Sequence, residues 1–168
     1  QFIAYFQANT NTYGTVDELK ERFEPFVNMK DVVGIAIATR PDCLSDEICD
    51  YLEQLSHRCD LYIELGLQTV HDKTAQLIHR GHDYQTFLDG LQRLRQRHLD
   101  VCVHIINGLP YETYDMMLET AKQVGQLDIQ GLKIHNLYML KDTALHRLYQ
   151  QRPFEMLTRE QYISLVVD

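Results

Sequence analysis

The sequence predicts an α/β fold: a parallel sheet covered by helices and closed as a barrel or partial barrel. Three observations carry that expectation. Five short runs of β-branched, aromatic and apolar residues begin ~30–40 residues apart, the length of one strand-plus-helix unit. The segments between them have helical period, and strict alternation of strand and helix implies parallel strands. No run is followed by G-x-G-x-x-G or G-x-x-x-x-G-K-[ST], the glycine-rich turns of an open nucleotide-binding sheet.

The strand runs are "FIAYFQ" (2–7), "VVGIAIA" (32–38), "LYIELG" (61–66), "VCVHIIN" (101–107) and "GLKIHNLY" (131–138). After the first, "TVDELKERFEPFV" opens with a capping box, Thr15 with Glu18 three residues on, and lines Leu19, Phe23 and Phe26 along one face. "SDEICDYLEQLSH" has Ser45 as N-cap, acids in its first turn, and Ile48, Leu52 and Leu55 as a stripe. The gap 67–83 holds "QTVHDKTAQLIHRGHD", read as an extra short helix and a functional loop. "DYQTFLDGLQRLRQRH" carries Phe87, Leu88, Leu91 and Leu94, and "TYDMMLETAKQVGQL" carries Met117, Ala121 and Val124. A Pro-marked turn then leads into "PFEMLTREQYISLVVD", a final helix.

The 168 residues suffice for one domain with a sizeable core. With 45% hydrophobic and 24% charged residues the composition is that of a soluble globular protein. No apolar run approaches the roughly 20 residues that span a bilayer, and no signal peptide is recognisable, so a cytoplasmic location is expected. A formal charge of −8 argues against a broad nucleic-acid surface. The one basic stretch, "LQRLRQRH" (91–98), reads as the solvated face of a helix. Cys43, Cys49, Cys59 and Cys102 form no CxxC pair and read as reduced thiols. "HRGH" (79–82) lacks the i, i+4 spacing of a helical metal pair. The chain opens on a strand without an initiator Met, which leads us to expect a piece of a longer protein.

In a barrel the chemistry sits at the carboxyl ends of the strands. There the sequence places Gln7, Asn9 and Asn11; Thr39 and Arg40; Glu64, Gln68 and Thr69; His104 and Asn107; and His135, Asn136 and Tyr138. They include no Ser-His-Asp pattern, carboxylate dyad or histidine cage. Amides, hydroxyls and an Arg suit holding a large polar ligand better than hydrolysis. Structural alternatives stand beside this: Arg40 bracing a turn before Pro41, Glu64 pairing with a cation, His104 as a core histidine.

"ATRPDCL" (38–44), "ELGLQT" (64–69), "IHRGHD" (78–83), "HIINGLPYET" (104–113) and "LKIHNLYMLKDTAL" (132–145) together resemble the radical S-adenosylmethionine (SAM) enzymes. The likeness is to the YhcC/YtqA type, related to the Elongator catalytic subunit and the oxygen-independent coproporphyrinogen oxidases, and it runs in order over nearly the whole chain. It implies a partial (β/α)₆ TIM-like barrel, with these five strands as the second to sixth. It implies a single radical SAM core domain over 1–168, its first strand and cluster loop preceding Gln1.

The resemblance also implies roles. Backbone near Gln7 and Asn9 would hold the methionine amino group of SAM, although Gln7-Ala8-Asn9 replaces the usual Gly-Gly-Glu. Ala38 stands where relatives have a Glu, leaving Thr39 or Arg40 to substitute; Glu64 belongs to the same strand-end set. Gln68 matches a motif Gln, and Arg80 an Arg that pairs with the SAM carboxylate through its forked donors. Ile106 and Asn107 would border adenine, with Leu137 and Tyr138 closing its other side. His104 falls where some relatives use a ribose-binding acid. Gly108, lacking Cβ, would let backbone and ligand approach closely, and Glu112 would favour the amino end of the next helix.

The family's [4Fe-4S] cluster is held by three cysteines ending in a CxxC. The four cysteines here lie 6, 10 and 43 positions apart, so the cluster is expected only in the full-length protein. The chain alone is expected to be inert. The implied partners are SAM, a substrate that is tRNA or a small molecule, and an electron donor such as flavodoxin or ferredoxin, with no membrane. Two other functions suit a barrel of this kind. A non-radical barrel enzyme wants a Lys or acid at a strand end, but Lys133 lies inside its run and Lys141 beyond it. A non-catalytic ligand-binding module would have lost Gln68 and Arg80, and both are present.

Overall fold

The computed structural model describes every residue from Gln1 to Asp168. The elements are β1 (Phe2–Phe6), α1 (Val16–Val27), β2 (Val32–Thr39), a short 3-10 turn (Pro41–Cys43), α2 (Asp46–Ser56), β3 (Asp60–Gln68), α3 (Asp72–Leu77), α4 (Tyr84–Gln96), β4 (Asp100–Asn107), α5 (Tyr114–Val124), β5 (Gly131–Asn136), α6 (Ala144–Gln151) and α7 (Arg159–Val167). The strands form one sheet in the order β1-β2-β3-β4-β5. β1 and β2 pair in parallel, as do β2 and β3, with Ile35 beside Leu61 and Ile37 beside Ile63. Strand order that follows chain order is the topology of a barrel; a doubly wound sheet reverses direction at its middle. No helix is long and apolar enough to cross a membrane.

Two compact units make up the chain. The first comprises Gln1–Leu67, Gln85–Val103 and Asp128–Leu132. Its core takes Leu19 and Phe23 from α1, Ile35 and Ile37 from β2, Leu52 and Leu55 from α2, Ile63 and Leu65 from β3, and Phe87 and Leu94 from α4. Phe6 meets Phe23 and Phe26 edge-on, with ring centroids 4.9 and 5.1 Å apart. The helix starts follow the sequence signals: Thr15 and Glu18 form the capping box, and Ser45 accepts from the Ile48 amide at 3.3 Å. Arg97 reaches Asp50 at 2.6 Å and Asp46 at 3.2 Å, and Arg95 reaches Asp128 at 2.9 Å. The basic stretch is thus a helix face paired with acids.

The second unit comprises Gln68–Tyr84, His104–Leu127 and Lys133–Asp168. Val70, Ala75, Ile105, Leu109, Met117, Val124, Phe154 and Leu165 are buried in it. Three features depart from expectation here. The stripe of α5 runs through Met117, Thr120 and Val124, leaving Ala121 exposed. β5 stops at Asn136 rather than 138, because the next amide, Leu137 N–H, turns to donate to the Asn107 carbonyl at 2.9 Å. α6 was not anticipated at all.

Gly90 lies in the middle of α4, where glycine ordinarily weakens a helix by about 1 kcal/mol. Its reason is contact: a Cβ there would stand 2.8 Å from Pro41 Cβ and 3.1 Å from the Pro41 backbone. Gly90→Ala is therefore expected to lower stability by about 1–3 kcal/mol despite its better helix propensity. A denaturation midpoint unchanged or raised in that variant would show that the approach is not tight.

Candidate ligand-binding site at the strand ends

In the first unit the strand ends are tied to one another. Asn11 donates its side-chain amide to the carbonyls of Phe6 at 2.8 Å and Ala38 at 3.0 Å, and its own N–H to Ala38 at 3.1 Å. Thr12, fully buried, places its hydroxyl between that of Thr39 and the Cys43 carbonyl. The Thr39 hydroxyl thus serves the turn. Arg40 grips Asp42 with two bonds of 2.9 and 2.6 Å, and this pairing raises its pKa. Tyr5 donates its hydroxyl to the buried Glu64 carboxylate. Gln7 and Asn9 are exposed, and Asn9 has a left-handed backbone (φ +64°). Thr12 went unnoticed in the sequence, since nothing in "NTNTY" separates it from its polar neighbours.

In the second unit the loop after β3 is organised by Arg80. Its side chain is only 3% exposed. Nη1 donates to the Thr69 carbonyl at 2.5 Å, Nε donates to the His82 carbonyl at 2.8 Å, and Nη2 lies 3.5 Å from Asp72 Oδ1. Burial lowers its pKa, and the negative charges of Asp72 and Asp83 oppose that. The fork that the resemblance aims at a ligand carboxylate here holds two backbone carbonyls of its own loop. Along that loop Gln68, His79 and Gly81 have φ of +64°, +54° and +88°. For Gln68 and His79 this is a conformation costing of order 1–3 kcal/mol, which the surrounding bonds hold in place.

Thr69 joins this loop to the turn after β4. Its hydroxyl donates to Glu112 Oε1 at 2.6 Å, and the His71 ring meets the Met116 carbonyl at 2.9 Å. Glu112 therefore binds Thr69, and Thr113 caps α5. Gly108 has φ +83°, which glycine alone adopts without strain. A Cβ on it would touch Leu157 and the Asn136 side chain, both protein atoms, so conformation and not ligand approach explains that glycine.

β4 sends alternate residues to opposite faces. Asn107 is buried and lines a small cavity with Met117, Ile134 and Leu165. Ile106 faces a larger cavity of about 390 Å³, together with Leu109, Leu137, Leu77, Ile78, His79, Ala144, Leu145 and Leu148. Eight of these nine side chains are aliphatic. His104, two residues before Ile106, stands 3.3 Å (Nδ1) from Nε2 of His135, two residues before Leu137. Tyr138 is 80% exposed and lines none of the cavity. The sequence thus pointed to Ile106 and Leu137 and missed the walls from Leu77–His79 and α6.

Arg80→Ala is expected to destabilise the ligand-free protein by about 2–3 kcal/mol, because the buried Thr69 carbonyl and the half-buried His82 carbonyl lose a charged donor. Arg80→Lys should recover little, lacking the fork. Undiminished stability in Arg80→Ala, measured by denaturant unfolding without ligand, would contradict the bracing role.

Residues 3–124 match the family described as the Radical SAM superfamily, and residues 129–168 match the Radical_SAM C-terminal domain. The Bacillus subtilis (strain 168) protein YtqA is 52% identical over 168 residues, covering 100% of this chain and 52% of that protein. The chain thus spans about half the length of the curated relatives it matches. Among solved structures, the archaeal Methanocaldococcus infernus Elp3 with an N-terminal deletion superposes with a TM-score of 0.82 at 19% identity, over 98% of this chain and 43% of that one. Escherichia coli coproporphyrinogen III oxidase (HemN), a radical SAM enzyme, gives 0.74 at 18% identity, over 98% and 38%. The fold is shared with both: a partial TIM-like barrel of βα units.

Proposed function

This chain belongs to the radical SAM superfamily, and from that premise we propose that its second unit forms the nucleoside-binding wall for S-adenosylmethionine in a radical SAM enzyme. The carrying observation is the apolar cavity of about 390 Å³ at the ends of β4 and β5, lined by Ile106, Leu109 and Leu137. Such a cavity fits the plane of a purine, and a small number of polar groups beside it would fix orientation. His79 is the polar side chain on its wall, and His104 lies on β4, the strand that contributes Ile106. SAM held there would supply hydrogen-abstraction chemistry, one electron cleaving it to methionine and a 5′-deoxyadenosyl radical. The chain's own residues bind and orient: the aliphatic wall excludes water from the nucleoside, and Arg80 keeps the loop bearing Gln68 and His79 in its left-handed shape.

A [4Fe-4S] cluster takes thiolate ligands. Cys43, Cys49, Cys59 and Cys102 do not fit that demand: no three potential metal ligands come together. Burial pushes the Cys49 thiol up to about 11 and also raises those of Cys43 and Cys59. A metal-ligating thiol needs the opposite shift. The proposal therefore assigns the cluster to residues outside Gln1–Asp168. It keeps tRNA or a small molecule as the substrate, and flavodoxin or ferredoxin as the electron donor.

Two measurements test this reading. Calorimetry on the full-length protein is expected to show SAM binding that Ile106→Glu abolishes, with little change in melting temperature because Ile106 is only half-buried. SAM binding untouched by Ile106→Glu would place the nucleoside elsewhere. The full-length protein with reconstituted iron and sulfide is expected to cleave SAM reductively, and the 168-residue chain is not. Cleavage by the chain alone would overturn the assignment of the cluster, whereas tight SAM binding without cleavage in the full-length protein would point to a ligand-binding module.

A further inference from the structure

β4 and β5 are neighbours in the sheet, and each carries one histidine near its carboxyl end. His104 is half-buried and His135 exposed. Nδ1 of His104 and Nε2 of His135 stand 3.3 Å apart, while the ring centroids are 5.1 Å apart and the ring planes meet at 44°. The rings therefore converge nitrogen-first, neither stacked nor edge-on.

The backbone under both rings is held in place. β4 flanks His104 with Val103 and Ile105, both essentially inaccessible. On β5 the Tyr162 hydroxyl donates to the Ile134 carbonyl at 3.0 Å, and Leu137 N–H donates to the Asn107 carbonyl at 2.9 Å. β5 is thus fixed on either side of His135, and the two strands set the spacing of the rings.

That spacing suits a shared ion better than a shared proton. A ring-to-ring hydrogen bond of 3.3 Å is long, past the ~3.2 Å at which N–H donors ordinarily reach. Zn–N bonds measure ~2.0–2.1 Å, and two of them at a tetrahedral angle of ~109° put their nitrogens ~3.3–3.4 Å apart. Two at the ~90° of a square-planar ion would bring them to ~2.8–3.0 Å. Imidazole nitrogen suits zinc and its transition-metal neighbours, whereas magnesium and calcium take oxygen.

We propose that His104 and His135 form a two-histidine site for a divalent transition metal, with zinc the ion that fits best. No third histidine, cysteine or carboxylate joins them into a larger group. Two tetrahedral positions are then left to water or to oxygen and nitrogen donors of a substrate, so the ion anchors a ligand on the concave side of β4 and β5. The site is distinct from a thiolate-held cluster, because both of its ligands are imidazoles. It stands whether or not the cavity beside Ile106 takes SAM.

The test uses the full-length protein after reconstitution with iron and sulfide, so that cluster thiolates do not compete, with Zn(II) as the probe in excess magnesium. Calorimetry is expected to show one zinc site that His104→Ala and His135→Ala each weaken at least about tenfold, and that the double variant lacks. X-ray absorption at the zinc edge is expected to show a first shell of nitrogen and oxygen, with imidazole scattering and no sulfur. That readout uses the unmodified protein and needs no variant to fold. Zinc affinity that survives both substitutions, a sulfur shell, or no zinc binding at all overturns the site. Each of those results leaves SAM binding at Ile106, measured separately, standing.

Discussion

A strand delivers its side chains to two faces by turns, and β4 uses that constraint to build a core and a site from eight residues. Val101, Val103 and Ile105 are essentially inaccessible, and Asn107 joins them on the same face. Cys102, His104 and Ile106 point the other way and stay half-buried. A shift of one residue would exchange the two sets, sending His104 into the packed side and Val103 into the cavity. The core therefore holds the site in register: the apolar face that stabilises β4 is also what aims Ile106.

The turn after β4 inherits that aim and distributes it. Gly108 and Tyr111 both adopt positive φ, so within four residues the chain turns away from the sheet and brings Glu112 back to Thr69. The same turn presents Tyr111 to Arg152. The loop after β3 is fixed by a different device, a buried guanidinium spanning Thr69 and His82. Thr69 takes part in both, offering its carbonyl to Arg80 and its hydroxyl to Glu112. One residue thus joins two left-handed loops.

The elements legible in the sequence were those with strong local signals. The capping box of Thr15 and Glu18 and the cap of Ser45 mark helix starts through side-chain chemistry that operates within four residues. The strand runs were legible because β-branched and aromatic residues cluster in them. α6 carries the same kind of cap at Thr143, but its apolar residues answer to a cavity and not to a core, so no buried stripe marks it. The end of β5 depended on a bond between strands, Leu137 to Asn107, which sequence spacing does not carry. At the candidate site Ile106 and Leu137 are named by the family resemblance; the strand-end rule names His104, Asn107, His135, Asn136 and Tyr138, none of which lines the larger cavity. The engagement of Arg80 with backbone carbonyls was hidden because any acceptor, a ligand's or the protein's, suits a guanidinium equally well.

β1 lies at one edge of the sheet, and its composition has a colloidal consequence. Phe2 is 70% exposed, Ile3 51% and Tyr5 44%, and the strand "FIAYF" contains no charge and no proline. Proteins ordinarily guard such an edge with lysine, proline or a covering segment, because its open backbone groups are a template for another strand. Only a register irregularity between Phe2 and Ile3 interrupts this one. Left bare, the edge favours pairing between copies as concentration rises. A strand laid along it would instead bury three large side chains and remove the route to aggregation.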